Sequence, residues 1–286
     1  MKETLVGALT RAVESGWVPD ALVRSGIRYN VAARNREIEV LNSIAATRSF
    51  ICEMDVAPIA LIPEVANHQH YELPASFFDF VLGPRRKYSC CLWDERTTSL
   101  ADAEALALQQ VVQRAGVEDG MTVLDLGCGW GSLTLYLAEV FPNARVVGVS
   151  NSTSQAEFIR AEAATRDLSG VQIRTADMNQ FDPGERFDRI LSIEMFEHMR
   201  NWRRLVSRVT DWLNPEGQFF LHVFTHLTTP YPYVVRGEGD WMSRFFFSGG
   251  MMPSHDLAML IAPPDLELQN RWRIDGTHTP SPPTPG

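Results

Sequence analysis

Positive charge is in short supply. The 286 residues carry 26 Lys and Arg against 35 Asp and Glu, a formal net charge of −9. Nucleic-acid surfaces need clustered cations to displace counterions, so no nucleic-acid partner is expected. The same balance suits a cationic small molecule. Cysteine is also scarce: Cys52, Cys90, Cys91 and Cys128 are the complete set. None forms a C-x-x-C pair, and adjacent Cys90 and Cys91 make a poor chelate, so no metal site is expected. Reduced thiols in the cytoplasm are the expected state. Long hydrophobic runs are missing too. No stretch reaches the roughly 18 apolar residues of a membrane span, so no stable membrane insertion is expected. Lys2, Glu3, Arg11 and Glu14 interrupt the apolar residues at the N-terminus. That pattern fits an amphipathic helix and not a signal peptide.

What remains is a globular composition, 45% hydrophobic and 21% charged, long enough for a large α/β domain with an appendage. No internal repeat is present. Residues 1–85 read as a helical cap: Leu5, Leu9 and Val13 recur at helical spacing, as do Val31, Arg34 and Ile38. This cap either packs and solvates or serves as a substrate lid. From about 100 the pattern alternates, with helices expected at 101–115, 131–140, 152–166 and 202–213. Strands are expected at Thr122–Leu126, Arg145–Ser150, Val171–Ala176, Arg189–Glu194 and Gln218–Phe224. Such alternation predicts an α/β fold, a parallel-rich sheet with helices on both faces. Asn214-Pro215-Glu216-Gly217 reads as a turn into the last strand, and Ala101-Asp102-Ala103-Glu104 as an acidic helix start. Beyond 226 aromatic residues concentrate, including Tyr231, Tyr233, Trp241 and Phe245 to Phe247. Residues 279–286 are Pro-rich and expected to be disordered.

Val123 to Gly131 reads as strand, glycine loop and helix start. Glycines allow a sharp turn and close approach of a ligand to the backbone. The spacing is G-x-G-x-G (Gly127, Gly129, Gly131) with Asp125 two residues earlier. That is the form of S-adenosylmethionine sites and not of dinucleotide sites, whose pyrophosphate sits on a helix N-terminus. Asp125 either orients the loop or meets the cofactor ammonium. After the second strand, Ser150, Asn151 and Gln155 offer uncharged hydrogen bonds to ribose hydroxyls, with helix capping by Asn151 or Ser152 as the plainer alternative. After the third, Asp177 can accept from an adenine amino group and Met178 can cover the ring.

Glu194, Glu197 and His198 follow the fourth strand at i, i+3 and i+4 and converge if a helical turn starts there. Two carboxylates beside an imidazole suit proton removal near neutral pH. The same residues could equally cap and solvate a helix start.

Tyr88-Ser89-Cys90-Cys91, the Asp125–Gly131 loop, Ser150 to Gln155 and Met195-Phe196-Glu197-His198 together resemble the cyclopropane fatty-acid synthase superfamily. Ile193-Glu194-Met195-Phe196-Glu197-His198-Met199 is more similar to its coclaurine N-methyltransferase branch. Asn67 to Pro74 matches the segment before the family core. The resemblance implies a Rossmann-like class I methyltransferase domain over 86–278, using S-adenosylmethionine. It implies cofactor contacts from Tyr88, Ser89, Gly127, Gly129, Asn151, Gln155 and Ile193, with Glu197 and His198 facing the acceptor. Glu194 fits the amine-methylating branch, so a small amine is the expected partner. The lipid-modifying branch holds bicarbonate through groups matching Cys90, Glu197, His222 and a late Tyr. Here Gly276-Thr277-His278 is followed by Thr279, and Phe224 replaces a small aliphatic residue. Family members continue for several helices beyond this point, so the C-terminal helices are expected to be truncated. A lipid-modifying enzyme and a cofactor-binding form without turnover are the alternative readings. Trp241 and Phe245 are expected to hold a cationic acceptor by cation–π contact. Oligomeric state is left open.

Overall fold

The computed structural model describes residues 5–41, 43–62, 75–237 and 240–274. The Asn67–Pro74 match, Gly276 to His278 and the Pro-rich 279–286 therefore lie outside the described residues. The sheet comprises β1 (Thr122–Leu126), β2 (Arg145–Ser150), β3 (Val171–Thr175), β4 (Phe187–Ile193) and β5 (Leu213–His222). Their order is β3-β2-β1-β4-β5, and all four pairings are parallel. Parallel neighbours need crossovers, supplied here by α6 (Ser132–Val140), α7 (Thr153–Thr165) and α8 (Trp202–Asp211), while α5 (Leu100–Ala115) precedes β1.

Side chains alternate across the strands and build two cores. Leu124, Leu126, Val147, Val149 and Ile190 face α8 through Leu205, Val206 and Val209. Val123, Val146 and Leu191 face α5 and α6 through Leu108, Val111, Leu133 and Leu137. Period-two alternation between two apolar layers is what a sheet covered on both faces requires.

The N-terminal helices are α1 (Leu5–Glu14), α2 (Asp20–Leu41), α3 (Ile44–Val56) and α4 (Ala75–Val81). Their apolar spacing located the helices but not their burial: Leu9, Val13 and Val31 are exposed, while Ile38 is buried. From α3 onward the chain joins the main core, where Phe50, Met54 and Ile59 are buried with the α8 side chains. At about 2 kcal/mol per buried large apolar side chain, these three anchor the segment to the sheet. No helix among the described residues is long and apolar enough to cross a membrane.

One local expectation is corrected and a second is refined. The Asn214–Gly217 turn lies inside β5, not before it. Leu213 pairs with Phe187 and Gln218 with Arg189, so the four residues between them bulge out opposite Asp188. Glu216 takes a positive φ of 64° there, and Asn214 Nδ2 donates to Asp188 Oδ1 at 2.8 Å. The acidic start of α5 also divides its labour. Asp102 completes a capping box with Ser99. Glu104 is fully buried and accepts the N–H groups of Gly83, Arg85 and Lys87.

Candidate active site

The strand order reverses at β1, with β2 on one side and β4 on the other. Ligand clefts of open α/β sheets form at such a point, beyond the strand carboxyl ends. Here a cleft opens that measures about 1480 Å³ including its mouth. Thirteen of the fourteen residues expected at the site line it: Tyr88, Ser89, Asp125, Gly127, Gly129, Ser150, Asn151, Gln155, Asp177, Met178, Ile193, Glu194 and His198. Glu197 does not.

The floor is the loop after β1. Gly127, Gly129 and Gly131 all have positive φ, 81°, 52° and 81°, a region that side-chain-bearing residues rarely adopt. Asp125 is buried, and Thr134 Oγ1 donates to its Oδ2 at 2.7 Å. That contact ties the end of β1 to α6, which is the loop-orienting role. Burial pushes the Asp125 carboxyl up to about 6 from 3.8. The folded state therefore holds its proton more tightly than the unfolded chain. The resulting stabilisation is present below about pH 4 and lost as pH rises through 6, about 3 kcal/mol in all. Asp125→Asn is accordingly expected to be more stable than the parent at about pH 8, without cofactor, and no more stable at about pH 4. Denaturant titrations at both pH values check this, and parallel pH dependence of the two proteins would refute it.

One wall lies beyond β2. Ser152, not Asn151, is the N-cap of α7, its Oγ accepting from Gln155 N–H at 3.4 Å. Ser150 Oγ donates to Gln155 Oε1 at 2.6 Å, which orients the Gln155 amide. Its Nε2 is buried with no hydrogen-bond partner among the described residues. A buried donor left so costs about 1–3 kcal/mol unless something accepts from it. Together with Asn151 it fits the hydroxyls of a ribose. Beyond β3, Asp177 receives Asn179 N–H and Nδ2 and still lines the cleft beside Met178. Asn179 also pairs with the backbone of Ala60 in both directions, bringing the N-terminal segment to the rim.

The opposite wall lies beyond β4. Glu194 N–H donates to His222 O at 2.8 Å, continuing the ladder, but Glu194 has φ +50°. A non-glycine residue in the left-handed region costs about 1 kcal/mol. Here that turn sets the Glu194 side chain in the cleft. Phe196–His198 is a single 3₁₀ turn, not an α-helix, so the two carboxylates do not share a face. Glu194 and His198 line the cleft, whereas Glu197 is buried behind it and Oε1 accepts Phe224 N–H at 2.8 Å. Burial first, and the Glu194 charge second, push the Glu197 carboxyl well above the ordinary range.

The aromatic residues also differ from expectation. Trp241 and Phe245, on α9 (Trp241–Phe245), are 47% and 45% exposed and do not line the cleft. The wall is Phe224, Phe246 and Phe247. Phe247 lies 5.1 Å from the His198 ring, 5.2 Å from Phe224 and 5.0 Å from Tyr233, on which it stacks. A five-residue helix has room for one inward face, and Phe246 and Phe247 follow it where the chain turns in. Sequence reasoning also missed Lys87, which lines the cleft, because nothing in the spacing of Arg85-Arg86-Lys87 sets it apart from its neighbours.

A glycine loop after β1, uncharged hydrogen-bonding groups after β2 and a parallel sheet in this order define a Rossmann-like class I methyltransferase. The family model of the mycolic acid cyclopropane synthetases matches residues 62–275. The chain is 34% identical to an (S)-coclaurine N-methyltransferase of Thalictrum flavum subsp. glaucum, covering 97% of this chain and 78% of the relative. It is 31% identical to the cyclopropane-fatty-acyl-phospholipid synthase of Escherichia coli (strain K12), covering 66% and 47%. Among solved structures, coclaurine N-methyltransferase bound to N-methylheliamine and SAH matches with TM-score 0.89 at 32% identity, covering 96% of this chain and 80% of that one. A mycolic acid cyclopropane synthase complexed with SAH and CTAB matches with TM-score 0.61 at 30% identity, covering 70% and 74%. The chain belongs to the mycolic acid cyclopropane synthetase family and is an S-adenosylmethionine-dependent methyltransferase.

Proposed function

We propose that this enzyme methylates the nitrogen of a small amine. The observation that carries the reading is the placement of both Glu194 and His198 in the lining of the cleft with Phe224, Phe246 and Phe247. An aromatic wall attracts a cationic amine, and a carboxylate at its edge takes the proton the amine must lose before its lone pair can react. The match to N-methyltransferases over most of the chain supports the same acceptor class.

The proposed roles follow from placement. Gly127 and Gly129 admit the cofactor to the loop, and Tyr88, Ser89 and Ile193 flank its methionine end. Ser150, Asn151 and Gln155 serve the ribose, and Asp177 and Met178 the adenine. Bound there, S-adenosylmethionine supplies an electrophilic methyl group on a sulfonium that leaves as a neutral thioether. Glu194 receives the acceptor proton, His198 holds the acceptor against the aromatic wall, and Glu197 keeps Phe224 in place through its backbone N–H. The enzyme's contribution is alignment of nucleophile and methyl together with removal of one proton. We further propose the division into a helical cap over 1–85, a methyltransferase domain over 86–278 and a tail over 279–286. A cytoplasmic location is supported by four cysteines that form no disulfide.

A methyl-labelled cofactor incubated with the full chain, a panel of secondary and tertiary amines, and phospholipid vesicles tests the reading. Label on amine nitrogen is the expected result. Label in acyl chains, with none on any amine, would overturn it.

A further inference from the structure

Among the 26 basic residues only Lys2 and Lys87 are lysines. In a chain that otherwise uses arginine, the ammonium at 87 occupies an unusual place. Arg85 is bidentate to Glu139, and Arg86 pairs with Asp79 with its guanidinium over the Phe158 ring at 3.9 Å. Lys87 instead turns inward and is 5% exposed. Its backbone is fixed by the buried Glu104 carboxylate, which receives the N–H groups of Gly83, Arg85 and Lys87 at 3.1, 2.8 and 3.0 Å. Its Nζ donates to two neutral acceptors, Ser89 Oγ and, at 2.6 Å, Cys90 O. The N–H of that same Cys90 points to Glu194 Oε1 at 3.5 Å. A buried cation and the cleft carboxylate thus hold opposite ends of one residue's backbone.

We propose that Lys87 is a positioning residue for methyl transfer, fixing the Ser89–Cys90 backbone and supplying the positive charge that faces Glu194 in the cleft. The inference rests on Glu194 being the carboxylate that meets the acceptor. A compact cation facing that carboxylate balances its charge inside the cleft, where a cationic acceptor would meet it. Lysine suits the place better than arginine because it is a compact charge with three donors, and a guanidinium would bury five. Burial lowers the proton affinity of the Lys87 ammonium, and the Glu194 charge is the largest factor opposing that. Cys90 and Cys91 on its own segment, Glu104 on α5 and His222 on β5 complete the titratable groups that share its field.

Two lysines make the test direct. The full chain carrying ¹³C at lysine Cε has two such signals, and Lys87→Met assigns them. We expect the Lys87 signal to titrate below that of Lys2, and Glu194→Gln to lower its midpoint further by about one pH unit. A midpoint unmoved by Glu194→Gln, or one equal to that of Lys2, overturns the proposal. This readout needs no turnover, so it stands even if no amine is methylated and the functional reading fails. In a second arm, Lys87→Met, which frees the Ser89 hydroxyl beside the cofactor's methionine end, is expected to weaken cofactor binding by no more than about tenfold in calorimetry, with kcat on a good amine down about 100-fold. Cofactor affinity lost by as much as kcat, or kcat unchanged, overturns it. Removing the buried cation alone leaves Cys90 O and the Glu194 charge uncompensated and is expected to lower stability, so a thermal melt confirms that the variant is folded at the assay temperature.

Discussion

Glu194→Gln is expected to lower kcat for amine methylation about 100-fold, with cofactor affinity within about threefold of the parent. The substitution keeps shape and removes one function, the capacity to take a proton. Because the Glu194 backbone N–H already bonds His222 O, the left-handed turn and the end of β4 do not depend on the side-chain charge. The loss of stability should therefore be limited to the missing attraction for Lys87, about 1.4 kcal/mol for a midpoint shift of about one pH unit. Glu197 makes the contrast. It lies behind the cleft wall and holds Phe224 N–H, so Glu197→Ala leaves a buried donor unpaired and is expected to cost about 2–3 kcal/mol of folding stability. Single-turnover kinetics with labelled cofactor, run beside denaturant melts, separate the two. Undiminished turnover by Glu194→Gln would remove that residue from the chemistry.

Gly127→Ala is expected to destabilise the fold by about 3 kcal/mol and to weaken cofactor binding at least tenfold. Two costs combine. The backbone has φ +81°, which costs an L-residue about 1–2 kcal/mol. An added Cβ would also come within 2.5 Å of Met195 Cγ and 2.6 Å of Met195 Cβ, an overpacking worth about 1–3 kcal/mol. Met195 can yield only by moving the segment between Glu194 and the 3₁₀ turn, so strain in the cofactor loop is transmitted to the acceptor wall. Urea melts and cofactor calorimetry measure both effects. A loss below about 1 kcal/mol would show that the loop tolerates a side chain there.

The sheet was legible because its cause is local. Val123, Leu124 and Leu126 in β1, and Val146, Val147 and Val149 in β2, are apolar on both faces, and helical patterns separate the strands. Period and alternation alone specify a parallel, doubly covered sheet. The cofactor loop was legible for a similar reason, since positive φ at three alternating positions demands glycine wherever the rest of the chain lies. β5 was misjudged at its start because Asn214-Pro215-Glu216-Gly217 is turn chemistry in isolation, and only pairing of Leu213 with Phe187 absorbs it into the strand as a bulge.

The acceptor side was another matter. Spacing brought Glu194, Glu197 and His198 together on an assumed helix, but the left-handed φ at Glu194 and the 3₁₀ turn send Glu194 and His198 into the cleft and Glu197 behind it. Trp241 and Phe245 looked as suitable for a cation as Phe247, and the aromatic wall was decided by which of them the chain beyond α9 turned inward. Lys87 went unread beside Arg85 and Arg86, and its burial follows from Glu104, a residue seventeen positions later that gathers the loop around its carboxylate. The sequence by itself determined the sheet, the glycine turn and the donor they hold, because dihedral preference and periodicity act between near neighbours. Only the tertiary structure decided which charges face the cleft, because burial and long-range pairing set the direction of a side chain, and neither is written in its spacing.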